Sequence, residues 1–363
     1  MEALALHEFH HGLNAVFTEV SGMEVVDHYG DPVSEYRALH ESAAVLDLSF
    51  RSRICLTGAD RVRFLHGQVT NNVQGLRTGT GCYAALVTAK GKLQSDLNIY
   101  ALKDELLLDF EPGLTKVVSE RLEKYIIADD VQIIDVAAAY GQLSIQGPKS
   151  EAAIRSLGLD LEIPAQPLTL TSINNPNLGE IYLMNHPRTG GVGFDLFVPT
   201  PALGAVADKL IAAAKQQGGS AGGWTALERA RIEAGLPRFG ADMDETNLAP
   251  EAIEARAISY SKGCYIGQEV IARIRTYGQV AKALRGLRLD DKLKTLPAKG
   301  DKLFHDGKEV GYITSAVSSS KLNGNFALGY VRKEANQIGS ELILRTGEGE
   351  FSSHIVEFPF KPA

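Results

Sequence analysis

Cysteine is scarce in this sequence: Cys55, Cys82 and Cys264 are the only three among 363 residues. They are odd in number, far apart and form no C-x-x-C, which excludes a disulfide framework and a thiolate zinc site and points to a reducing compartment. Excess charge is also lacking. With 37 Lys and Arg against 44 Asp and Glu, the net charge of −7 offers a polyanion no general attraction, although a local basic pocket stays compatible with it. No run of about 18 apolar residues is present to span a bilayer. The opening Met1-Glu2-Ala3-Leu4 has neither the basic region nor the apolar core of a secretory signal. A cytoplasmic protein is expected. What is present is the material of a folded core: 44% hydrophobic and 22% charged residues match ordinary globular composition, and 363 residues favour two or three domains over one.

Without repeats or low-complexity tracts, the organisation has to be read from changes in pattern. Thr200-Pro201 opens the clearest helix, with Leu203, Val206, Ala207, Leu210, Ile211 and Ala214 on one face and Gly218-Gly219 beyond its end. Amphipathic spacing predicts further helices after Pro112, from Asp60, and near Gly267. Strands are predicted over 84–88, 97–102, 180–184 and 194–198, the last with Phe194, Leu196 and Val198 alternating with Asp195 and Phe197. From about residue 281 the chain changes to short apolar runs at 284–289, 310–313, 327–331, 342–344 and 355–358, separated by Gly, Asp, Asn, Ser and Lys. That spacing predicts a small C-terminal β-barrel over 281–363, after a mixed α and β region of two subdomains over 1–280.

Several familiar sites fail on context. Gly79-Thr80-Gly81-Cys82-Tyr83-Ala84 fits the dinucleotide pattern G-x-G-x-x-A, but a strand follows it, so no helix N-terminus meets a pyrophosphate. Gly91-Lys92 lacks the spaced glycine of a P-loop, and Leu93 stands where a hydroxyl would hold magnesium. His7, His10 and His11 lack metal-ligand spacing and read as a frayed, solvated segment; no metal site is expected.

Three segments carry chemical content. In Lys262-Gly263-Cys264-Tyr265-Ile266-Gly267-Gln268-Glu269, two glycines bracket a cysteine, as a sharp turn presenting a thiol requires. Lys262 beside the thiol and a helix N-terminus near Gly267 would both favour thiolate, against the bland alternative of a buried small hydrophobe; Cys55 and Cys82 read as packing residues. The second segment is 88–97, a turn between strands that sets Asp96 near the start of the second strand, as a proton acceptor or as a turn cap. The third is Arg231-Ile232-Glu233-Ala234-Gly235-Leu236-Pro237. There Arg231, on a largely buried helix, needs a partner, either Glu228 at i−3 or a ligand carboxylate.

Those residues resemble a known family. Residues 262–269 match the K-G-C-Y-x-G-Q-E signature of the YgfZ-type folate-binding proteins, relatives of aminomethyltransferase, the T-protein of the glycine cleavage system. Leu46-Asp47-Leu48-Ser49, Thr70-Asn71-Asn72-Val73, Met243-Asp244-Glu245-Thr246 and Ala327-Leu328-Gly329-Tyr330-Val331 extend the likeness over most of the chain. The resemblance implies an α+β fold, a T-protein-like cloverleaf of α/β subdomains with a C-terminal barrel, and tetrahydrofolate as the cofactor. It implies Tyr83 and Arg231 as ligand contacts. Trp224, seven residues before Arg231, joins them as a candidate contact and optical reporter.

The resemblance also marks departures. An Asp-Asp pair of the T-protein corresponds to Ser95-Asp96, and the first aspartate, credited with activating the folate nitrogen, falls on Ser95, which supplies no carboxylate. A glutamate that pairs with the pterin falls near Gly191. Folate binding is therefore implied more strongly than aminomethyl transfer. The expectation is an accessory protein that supports iron-sulfur cluster assembly or repair in client enzymes, tRNA-modifying enzymes among them. Cys264 is its functional thiol, and neither direct nucleic-acid nor membrane contact is expected. A tetrahydrofolate-dependent one-carbon transferase using Asp96 is the alternative.

Overall fold

The structure is a computed structural model and describes residues 1–278 and 280–361. Two compact units are distinguished: Met1–Leu86, Ser95–Glu228 and Ser261–Tyr265 make the first, while Val87–Gln94, Arg229–Tyr260 and the chain from Ile266 onward make the second. The barrel begins at Lys282, close to its expected start, but its compact unit also takes in 87–94 and 229–260.

Two sheets organise the first unit. One has five strands in the order Gly81–Val87, Leu93–Ala101, Leu106–Phe110, Ser52–Thr57, Gln132–Asp135. Helices Arg61–Gln68 and Thr115–Glu123, both at expected places, bring Phe64, Leu65, Val118 and Leu122 into a core with Ile54, Leu97 and Leu108. The other sheet has six strands, ordered Leu170–Asn175, Gly179–Asn185, Gly193–Pro199, Tyr140–Gln146, Ala44–Asp47, Ser220–Ala221. The helix Thr200–Gln216 lays its predicted apolar face over this sheet, with Leu203, Leu210 and Ala214 fully buried. Thr200 does not cap it; its Oγ1 donates to the Ala138 carbonyl at 2.8 Å and ties the helix to the adjacent loop.

One expectation needs correction, and one strand is buried more deeply than its alternation alone implies. The histidine-rich start is a helix, His7–Gly12, and His10 is buried, its Nε2 2.8 Å from Asp47 Oδ2 and its Nδ1 2.8 Å from Tyr29 OH. Two polar partners inside the first unit hold this helix, so it is not frayed. The strand Gly193–Pro199 is buried on both faces from Gly193 to Val198, because it is interior to its sheet and carries a helix on one side. Asp195 is therefore sealed rather than solvated.

Arg53, fully buried, shapes the segment before the Ser52–Thr57 strand. Its guanidinium donates to the carbonyls of Arg51, Ser49, Ala137 and Tyr140 at 2.9 to 3.2 Å, which fixes the turn carrying Arg51. One side chain thus satisfies four backbone acceptors at once.

The second unit contains the closed barrel of six strands: Lys282–Leu289, Gly324–Arg332, Lys308–Ser319, Lys302–His305, Glu341–Thr346 and Gly349–Val356, which returns to the first. Leu287, Leu303, Ile313, Ala327, Leu344 and Ile355 fill it. The short strand Lys302–His305 has no apolar run of its own and escaped the sequence reading. Gly235, at φ +71°, ends the helix Trp224–Glu233; a Cβ there would come within 2.3 Å of the Phe358 ring.

Candidate active site

Within the first unit, strand alternation decides which polar side chains meet. On Leu93–Ala101, Ser95 shares its side with the fully buried Leu93 and Leu97, whereas Asp96 points to the other side with Asn98 and Tyr100. The carboxylate on the polar side is therefore Asp96. Ser95 itself is fully buried on the apolar side, and its Oγ donates to the Asp96 carbonyl at 2.9 Å.

Tyr83, buried on the neighbouring strand, donates its hydroxyl to Asp96 Oδ2 at 2.8 Å. The other oxygen, Oδ1, is buried and has no hydrogen-bond partner. Burial, and after it the charge of Glu111, push the Asp96 carboxyl up to about 6, with the Tyr83 bond and Arg51 acting the other way. Such a group is mostly ionised at neutral pH yet holds a proton far better than an ordinary aspartate.

Next to it runs a buried ladder of alternating charge. Arg188 bonds Asp195 and, at 2.9 Å, Asp109 Oδ2; Arg51 Nε bonds Asp109 Oδ1 at 2.7 Å, and its Nη1 bonds Glu111 Oε1. Burial alone would raise the Asp109 carboxyl, but Arg51 and Arg188 outweigh it and hold it at about 2. Asp195 is likewise held below the usual carboxylate range, where Arg188 and His186 overcome its burial. His186 Nδ1 lies 3.0 Å from Tyr100 OH and 3.1 Å from Asp195 Oδ2. Asp109, His186 and Asp195 are close enough to share a cation. Two guanidinium groups already compensate the carboxylates, so an added dication would meet like charge.

The sequence reading overlooked this ladder. A signal did exist: Asp109 within Leu106-Leu107-Leu108-Asp109-Phe110, and Asp195 within Phe194-Asp195-Leu196, are lone charges inside apolar strands and so demand partners.

The cysteine segment is also divided by its surroundings. Cys264 is exposed, as expected. Lys262, however, is buried and does not serve the thiol: its Nζ donates to the carbonyls of His66, Val69 and Asn71 at 2.5, 2.7 and 2.8 Å, and burial pulls it down to about 8. Its Nζ also lies 4.9 Å from the centre of the buried Tyr265 ring. Gly263 is outside the positive-φ region; only Gly267, at φ +85°, needs to be glycine, since a Cβ would meet the Thr88 carbonyl at 2.6 Å. The helix Gln268–Tyr277 follows directly, with Gln268 half-buried and Glu269 exposed and paired with Arg273. Cys55 and Cys82 fit their packing role. Burial pushes the Cys55 thiol far up and that of Cys82 up to about 12.

Arg231, in the second unit, is held by partners that the sequence did not point to. Its guanidinium bonds Asp242 and, at 3.1 Å, Ser315 Oγ, while Asp242 Oδ1 also accepts from Thr314 and Ser315 at 2.6 Å. Trp224, in the first unit, packs edge-to-face on Phe50 with ring centres 5.6 Å apart. Gly191 is exposed with open space around it and brings no carboxylate.

This architecture has relatives. Residues 6–262 match the GCVT N-terminal domain, and residues 282–361 match the glycine cleavage T-protein C-terminal barrel domain. The chain belongs to the glycine cleavage T-protein family. It is 28% identical to an aminomethyltransferase of Halalkalibacterium halodurans, over 90% of this chain and 88% of that one. A chloroplastic protein of Arabidopsis thaliana, whose name assigns it provisionally to the transferases, is 29% identical over 98% of this chain and 79% of its own length. The crystal structure of the glycine cleavage system aminomethyltransferase T from Bartonella henselae superposes with a TM-score of 0.89, covering 99% of this chain and 97% of that one at 22% identity. That likeness establishes the T-protein-like fold. Among the described residues, no helix is long and apolar enough to cross a membrane.

Proposed function

We propose that this protein transfers a one-carbon unit from an amine donor to tetrahydrofolate, in the cytoplasm, with Asp96 as the proton acceptor. The observation that carries the proposal is the buried, unpartnered Oδ1 of Asp96 beside the Tyr83 hydrogen bond to Oδ2. A reduced pteridine suits that acceptor chemically, because its ring and bridge nitrogens carry N–H donors. Tetrahydrofolate, when bound, supplies the nitrogen that takes up the one-carbon unit. Asp96 accepts the proton released at that nitrogen, and its raised pKa of about 6 makes it a stronger base than an ordinary carboxylate. Tyr83 fixes the carboxylate plane through Oδ2.

Two measurements test this. Titration with tetrahydrofolate, followed through Trp224 fluorescence, is expected to saturate. Turnover of an aminomethyl donor, already at the methylene oxidation level and releasing its amine as the carbon bonds to the folate nitrogen, is expected to depend on tetrahydrofolate and to be lost in Asp96→Asn; full turnover by that variant would overturn the proposal.

A second proposal rests on a different observation: Cys264 is exposed inside an intact K-G-C-Y-x-G-Q-E segment. That supports a YgfZ-type role as a folate-binding accessory to iron-sulfur enzymes, including those that modify tRNA. Replacing Cys264 by Ala in cells that lack the native gene should then lower the activity of an iron-sulfur enzyme that thiolates tRNA. Complete rescue would remove the thiol from the function.

A further inference from the structure

We propose that Glu111 is a positioning residue that tunes Asp96 from the end of the neighbouring strand, with Arg51 as its counterweight. The antiparallel register pairs Asn98 with Asp109 and Ile99 with Leu108. Asp96 stands two residues along its strand from Asn98, and Glu111 two residues along the chain from Asp109, just beyond the end of Leu106–Phe110, where Arg51 bonds both Asp109 and Glu111; like charges brought together there repel. Nothing in the proposed one-carbon transfer itself calls for a second carboxylate there.

The ladder holds Glu111 in place: Arg188 bonds Asp195 and Asp109, and Arg51 bonds Asp109 and Glu111. Glu111 is 8% exposed, so solvent screens it little. The groups that act on Asp96 are Tyr83 from one neighbouring strand and, from elsewhere, Glu111 and Arg51. Glu111 is the strongest charge acting on Asp96, in the direction that keeps a proton on it. Were Glu111 only an anchor for Arg51, its loss would weaken the fold without moving the Asp96 titration.

This inference concerns the carboxylate used in the proposed function, but its test needs no turnover. The full-length, ligand-free protein is labelled with 13C-carboxyl aspartate, the Asp96 resonance is assigned with Asp96→Asn, and its midpoint is followed by NMR. A midpoint near 6 is expected in the parent protein. Glu111→Gln should lower it by about one unit, a tenfold change in proton affinity, while Glu111→Asp keeps the charge and should shift it less. An unchanged midpoint in Glu111→Gln with native near-ultraviolet circular dichroism overturns the inference. Should that variant fail to fold, the parent protein labelled with 13C-carboxyl glutamate gives the answer: the Glu111 resonance must show an inflection at the Asp96 midpoint, and a single unrelated step overturns the coupling. A shifted midpoint without turnover sinks the proposed reaction and leaves the coupling standing; turnover with an unshifted midpoint does the reverse.

Discussion

Tyr83 and Asp96 are joined on one side only: the phenol bonds Oδ2 at 2.8 Å, and Oδ1 of the same carboxylate is left buried without a partner. The pairing orients the group and leaves it energetically unsatisfied, which is how a site trades stability for reactivity.

Asp96→Asn should therefore lose activity and gain stability. A carboxyl raised from 3.8 to about 6 binds more protons folded than unfolded between those values, so parent stability falls as pH rises from about 4 to 6. The full shift is worth about 3 kcal/mol. Urea denaturation at pH 8 should find the asparagine variant more stable by about 1–3 kcal/mol, with the gap closing below pH 4. Turnover should drop by about 10²-fold or more.

Tyr83→Phe removes a hydrogen bond that favours the ionised form. The Asp96 midpoint should move above its parent value, and with it the acid limb of the pH–rate profile. An acid limb shifted downward would contradict the donor role assigned to Tyr83.

Arg188→Met leaves two buried carboxylates under-compensated, at a cost of about 3–5 kcal/mol near neutral pH. Asp109, held at about 2 in the folded protein, contributes stability above its ordinary range near 4 that is lost as pH falls toward 2. Equilibrium unfolding at pH 7 and at pH 3 should therefore show a smaller penalty at the lower pH.

Lys262→Met strips one charged donor from three buried carbonyls, and a loss of about 3 kcal/mol in denaturant unfolding is expected. Alkylation of Cys264 by iodoacetamide at pH 7 should change by less than about twofold, because the lysine is committed elsewhere. A fall of tenfold would restore Lys262 as the activator of the thiol.

Local pattern carried much of the fold. Short apolar runs between turn residues announced most of the barrel, and the face from Leu203 to Ala214 announced its helix, because each signal lies within one element. The site was legible only in part. Tyr83 came through resemblance and Asp96 from its place after the 88–97 turn, whereas the surroundings of Ser95 and Asp96 depended on which side of one strand each faces. The charge ladder was out of reach because its partners are 58 and 79 residues apart in the chain, a distance that no local spacing encodes. The Asp47 that buries His10 lies 37 residues away for the same reason.

The barrel's seam has a consequence for birth order. The strand Lys282–Leu289 is flanked on one side by Gly324–Arg332 and on the other by Gly349–Val356. During synthesis the ring therefore waits with an open edge until its last strand leaves the ribosome, a few seconds after strand 324–332 at about 5–20 residues per second. A nascent chain halted before residue 349 would present two unpaired strand edges, the geometry that recruits other chains. Stalled-ribosome chains ending just before and well beyond this strand should differ sharply in aggregation.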